Sequence, residues 1–341
     1  MASVALPVRR PAAAGPGAGA IAGFALLTVL TLAFALRLPA ATAVVTLAAL
    51  GILHNVLELR YLGGRFAGVL NGVFLRLLAV LITGIVVCRA LPIAPATRVA
   101  EIVITYAVIA VACAYAYFTH PGPPSSGLPS PGRRRPVALT VALLGVAAAA
   151  AVSLAFPDHH FVVLTHLHNV VPLVLVWEWS RQLPRPSRTA LRAVQIGWVL
   201  VVPALLMAGV FDGLMAPATA WAGELAPAYT PPGWLQSGLE LRFLTVFAFM
   251  ATMHYLVWIW FMPRYAKVAT EEFERRVPAI TGWRAWAIGL GGSAVIAVLF
   301  ALDRADGAAL YATVATYHAY LELPVLLVLL LGYAPRDGAR S

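Results

Sequence analysis

Ten apolar runs, each long enough to cross a bilayer and parted by short segments that hold most of the arginine, decide what this chain can fold into. A helix needs about 20 apolar residues to span the hydrocarbon core, because lipid leaves every backbone N–H and C=O to be satisfied within the segment. The runs cover roughly 20–36, 39–59, 66–88, 98–118, 137–156, 161–179, 192–215, 239–263, 285–302 and 308–332. With 61% hydrophobic and 11% charged residues, the chain is too apolar for a soluble domain. The fold class is therefore all-α, a polytopic integral membrane helical bundle of about ten transmembrane helices.

Charge placement sets the expected orientation. If the N-terminus is cytoplasmic, 18 of the 24 Lys and Arg fall in inner segments and 4 in outer loops, with Arg76 and Arg242 inside spans. The positive-inside rule then places both termini inside, and it accounts for the net charge of +10 without a nucleic-acid partner. On this reading residues 1–19 are a cytoplasmic tail, 20–118 hold four spans, 119–136 are a cytoplasmic Pro/Gly/Ser linker, 137–332 hold six more, and 333–341 are a second tail. The first run is read as an uncleaved span, since no small-residue cleavage site follows it. The Ala-, Arg- and Pro-rich composition suggests a bacterial protein of the cell (inner) membrane.

Two connections carry further expectations. Glu271 to Arg276 alternates in charge, as a surface helix at the inner leaflet would. The segment from Ala216 to Gly238 has no basic residue and contains Trp221 and Trp234, which favours an aromatic anchor at the interface over a lid. Cys88 and Cys113 are too few and too far apart for a disulfide framework.

Polar residues inside the spans carry the functional signal, because ionisable groups at membrane depth are costly and face a bundle interior or cavity. His54 precedes Glu58 by four residues and His318 precedes Glu322 by four, so each pair shares a helix face. His168 and His254 lie in two further spans, while His159 and His160 fall at the outer mouth and His120 in the linker. At about 1.5 Å of rise per residue, His54, His168, His254, His318 and Glu322 come to one slab about 12–22 Å from the outer ends of their helices. His166 and His168 face opposite ways on a regular helix, unless it opens near Pro172, which leaves the His168 carbonyl without its helical partner.

This constellation suits a non-haem iron centre held by His54, His168, His254, His318 and Glu322, with Glu58, Glu322 and Arg76 as catalytic or charge-neutralising groups. Asn55 and Asn169, each following a histidine, suit either the orienting of ligands or a helix-to-helix hydrogen bond. Three other readings compete. In a structural one, His54 and Glu58 pair with each other or with Arg76. In the second, a haem b or quinone-linked electron carrier uses His54 with His254 or His168 with His318. In the third, a proton-coupled transporter relays protons through Glu58, Glu322, Arg76, Glu178 and the histidines, although its spans give no sign of broken helices.

In layout, histidines gathered from several spans of an all-helical membrane protein, the chain is similar to the Brp/Blh carotene dioxygenases and to membrane desaturases and hydroxylases. The HxxxH and HxxHH boxes do not occur in it, so the resemblance assigns no residues. The expected function is an integral membrane, metal-dependent oxidoreductase. Its expected partners are membrane lipids, a lipid-soluble substrate such as a polyene, isoprenoid or acyl chain, and an electron donor.

Overall fold

The computed structural model describes residues 16–92, 94–119 and 134–331. Most of the expected tails and linker, with His120, lie outside the described residues. Those described contain no strand and form a helical bundle: α1 (Ala18–Arg37), α2 (Pro39–Arg65), α3 (Gly72–Ala90), α4 (Pro95–Thr119), α5 (Arg134–Ala155), α6 (Pro157–His168), α7 (Val171–Trp179), α8 (Arg185–Ile196), α9 (Val202–Met207), α10 (Ala220–Leu225), α11 (Glu240–Leu256), α12 (Met262–Tyr265), α13 (Lys267–Arg276), α14 (Gly282–Leu302) and α15 (Arg304–Leu330). Among the described residues nine helical stretches are long and apolar enough to cross a membrane. The tenth expected span corresponds to α5, whose apolar part is the shorter Leu139–Ala155.

Three spans depart from regular α-helix, one near Pro172 where the sequence allows an opening and two where it gives no sign, and proline explains each case. A proline ring clashes with the carbonyl four residues earlier and offers no N–H to it. Ahead of Pro172 the helix stops at His168 and restarts at Val171, so α6 and α7 form one interrupted span, Pro157–Gln182. Ahead of Pro203 and Pro263 the helices widen into π-turns over Gly197–Val201 and Val257–Phe261, which take up the same clash without a break.

The most enclosed spans are α2, α15 and the α11–α12 stretch, and they carry His54 and Glu58, His318 and Glu322, and His254. Helix α2 packs against α11, α13, α14 and α15. Small residues permit that closeness, as membrane helix interfaces require. A Cβ at Gly51 would sit 2.4 Å from the Tyr311 ring, and one at Gly289 would sit 2.8 Å from the Leu53 Cα. By contrast α3 and α14 turn Val73, Val80, Val295 and Val298 outward, as lipid-facing surface does.

Both connections depart from simple surface roles. Helix α13 forms where the alternating charges predict it, but it is seated on the end of α2. Ala269 lies over Gly64, Phe273 over Gly63, and Glu274 pairs with Arg60. Residues 216–238 are folded against the bundle rather than splayed along an interface. Tyr229 stacks on Phe247 with ring centroids 3.8 Å apart, Trp221 packs on the core beneath Arg304, and only Trp234 is largely exposed in the manner of an anchor.

Candidate metal centre

The four deep histidines come from α2, α6, α11 and α15 and meet in the bundle centre. One nitrogen from each of His54, His168, His254 and His318 lies within 4.8 Å of the other three. His54 Nε2 is 3.1 Å from His318 Nε2, which is 3.2 Å from His168 Nε2. Local structure explains the convergence. His54 and His318 occupy inward faces of enclosed helices, His254 sits in α11 one residue before Tyr255, and the interruption after His168 releases the end of α6 beside them. His54 stacks on the Tyr255 ring at 3.6 Å, which fixes its plane.

Both carboxylates are buried in the same place. Glu322 Oε2 accepts a hydrogen bond from His168 Nδ1 at 2.6 Å, and Glu58 Oε2 lies 3.5 Å from His254 Nε2. A carboxylate oxygen of each and a nitrogen of His254 lie within 4.8 Å of one another. Two carboxylates so close in a dry interior need a proton or a cation between them.

The donor atoms pass a simple fit test for a metal ion. Nitrogens about 2.0–2.1 Å from a shared ion stand about 3.3 Å apart in a tetrahedron, close to the two separations found here. Hydrogen bonding among the rings does not satisfy them: His318 Nε2 faces two nitrogens and has at most one proton to give. The backbone carbonyls of Leu50, Ala315 and His168 stand as acceptors for one ring N–H each of His54, His318 and His254, and Glu58 meets Glu322, so the ring nitrogens that face one another in the cluster are the ones left short of partners. Buried polar groups are nearly always paired, so a cluster of unpaired ones marks a site for something else.

Other expected residues fall elsewhere. Arg76 is exposed near the start of α3 and donates from Nε to the Gly72 carbonyl at 3.3 Å, so it neither neutralises Glu58 nor joins the centre. It sits on a face turned away from the core, which spacing within α3 alone does not reveal. His166 turns away from His168 and donates to the Tyr229 carbonyl at 2.9 Å. His159 lies beside the Phe156 ring and His160 bonds Ser153 at 3.1 Å, both at the start of α6. Asn55 is buried with both amide atoms unpartnered, and Asn169 bonds the Thr165 carbonyl. Glu178 pairs with Arg65 at 2.6 Å, which removes it from any relay.

The structure adds groups that the sequence reading missed. A cavity of about 970 Å³ runs from Arg89, Pro92 and Arg98 at the α3–α4 connection down to His168 and His318. Tyr255 and Tyr311 line it, with their hydroxyls 2.5 Å apart, as does Tyr229, whose phenol is pushed up to about 12 by burial. Arg89 and Glu101 close one wall, joined at 2.6 Å and both bonded to the Tyr320 hydroxyl. A tyrosine following His254 was the one available signal for this wall; the rest depends on contacts distant in sequence. Set against protein-family models, curated proteins and solved structures, the chain has no match.

Proposed function

We propose that this multi-pass membrane protein is a metal-dependent oxidoreductase, acting through non-haem iron on a lipid-soluble substrate such as a polyene, isoprenoid or acyl chain. The observation that carries the reading is the convergence of four buried histidine nitrogens that cannot satisfy one another. His54, His168, His254 and His318 would hold the ion. Glu322 acts through His168 by taking its Nδ1–H, the arrangement that orients a ligating imidazole and raises its basicity. Glu58 and Glu322 together offset the charge of one divalent ion, which a low-dielectric interior demands.

Histidine-rich sets with room for further ligands suit iron that activates dioxygen, and that is the chemistry the ion would supply. The chain's own residues do the remainder. The cavity brings an apolar substrate against His168 and His318. Tyr255 and Tyr311 present a hydroxyl pair to it, and the buried Glu58 carboxylate beside His254 is placed to accept a proton released at the centre.

Haem is less well supported. Two axial nitrogens at about 2.0 Å each stand about 4 Å apart on opposite sides of a flat macrocycle. Three of the rings meet at 3.1–3.2 Å and a nitrogen of His254 lies within 4.8 Å of theirs, which leaves no such slab. Elemental analysis and an optical spectrum of the purified protein test the reading. Iron without the intense bands of haem is the expected result. A haem spectrum, or protein that neither contains nor takes up a transition metal, would overturn it.

A further inference from the structure

The cavity differs from an ordinary lipid-binding cleft in its charge. Arg89 and Arg98 stand at its mouth, yet each is matched by a carboxylate: Glu101 meets Arg89 at 2.6 Å and Asp158 meets Arg98 at 2.6 Å. Arg89 is further held by Thr316 at 3.2 Å and Tyr320 at 3.2 Å, and the Arg98 guanidinium lies over the Phe161 ring. Among the described residues no uncompensated cation therefore faces the cavity to receive a fatty-acid carboxylate or a phosphate, and burying such a group unpaired is costly.

The wall below is smooth and small. Ala308, Ala312, Ala315 and Ala319 follow one face of α15 and all line the cavity, ending beside His318. From Ala308 to His318 the helix rises about 15 Å. The volume sits at the upper end of the roughly 300–1,000 Å³ typical of small-molecule sites. At the foot, His318 is fully buried, and Tyr255 and Tyr311 offer hydroxyls rather than charges.

We propose that the cavity holds an uncharged single-chain lipid, a hydrocarbon, alcohol or aldehyde of isoprenoid or acyl size. It lies along the Ala308–Ala319 wall with its inner end at His168 and His318. The position of the reacting end rests on the metal reading; binding of a neutral chain in this cavity does not.

Two probes with one carbon skeleton test the proposal: retinol, which is neutral, and retinoic acid, which carries a carboxylate. Retinol fluorescence in a detergent solution of the protein should rise on binding, and retinoic acid should compete at least about ten-fold more weakly. Ala312→Phe and Ala315→Phe, which fill the cavity at two depths, should each weaken retinol by about ten-fold or more while metal content stays at the wild-type level. Cys88 lines the same cavity near its mouth and supplies a readout independent of substitution, since bound retinol should slow its alkylation by N-ethylmaleimide. Equal or tighter binding of retinoic acid would overturn the neutral-ligand assignment. No retinol binding, or binding untouched by both phenylalanine variants without Cys88 protection, would overturn the cavity. Each of these failures would stand beside an unchanged metal content, whereas failure of the metal reading would show as absent metal.

Discussion

His168 gives its Nδ1–H to Glu322 across 2.6 Å, and the same ring presents Nε2 to His318 Nε2 at 3.2 Å. With Glu322 ionised, as a cation at the cluster would hold it, the carboxylate accepts only, so the proton lies on Nδ1 and the Nε2 lone pair faces the cluster. Glu322 thereby sets the tautomer of a ring on another helix.

Loss of that bond should weaken the centre without abolishing it. Partners standing behind a ligating histidine are worth 10–100-fold in affinity or activity. Glu322→Gln keeps an acceptor and should cost on the order of 10-fold in iron affinity, and Glu322→Ala toward 100-fold. Equilibrium titration of metal-free protein with Fe(II) reads both. Unchanged affinity in Glu322→Ala would mean that the carboxylate does not act through His168.

The packing account makes a prediction of its own at α2. A Cβ at Gly64 would fall 1.7 Å from the Ala269 carbonyl oxygen, a backbone atom that cannot swing aside, while one at Gly63 would meet only the Phe273 ring at 2.8 Å. Gly64→Ala should lower thermal stability in detergent by about 1–3 kcal/mol. Gly63→Ala should cost less, and Gly291→Ala, with nothing within 4 Å, should cost little. Equal stability of all three variants would contradict the close approach of α13 to α2.

Helix period and the price of ionisable groups in lipid made His54, Glu58, His254, His318 and Glu322 legible, because both are properties of one segment. Partner choice was not. His54 and Glu58 share a face, yet His54 meets His318 and Glu58 lies beside His254, on helices more than 190 residues away in sequence. The Pro172 break was readable, since a proline strands a definite carbonyl, but the π-turns before Pro203 and Pro263 were not, because a widened turn and a broken one answer the same clash. Arg76 was misplaced because span depth says nothing about which way a side chain points. The cavity was invisible for a related reason: its α15 side is alanine, and alanine on a helix face carries no signal until a neighbour fails to fill the space beside it.

The orientation expected from the basic residues is open to direct labelling. Arg275 on α13 and Gly233 in the 216–238 segment are both exposed and lie at opposite ends of the bundle. In a background lacking Cys88 and Cys113, Arg275→Cys should react with a membrane-impermeant maleimide only from the cytoplasmic side, and Gly233→Cys only from the other. Labelling of both from one side would contradict the bundle, and exchange of the two sides would reverse the N-in, C-in assignment.

The histidines themselves provide the most direct test of the metal centre. His254 and His318 are fully buried in the cluster, where neither water nor lipid replaces a lost nitrogen, whereas His159 is half-buried beside Phe156 at the start of α6. Metal-free protein titrated with Fe(II) should take up one ion per chain, and so should His159→Ala. His254→Ala and His318→Ala, inserted and folded, should each lose well over 100-fold in affinity, more than residues behind a ligand account for. Wild-type uptake by both buried-histidine variants would make the cluster a packing arrangement and contradict the account.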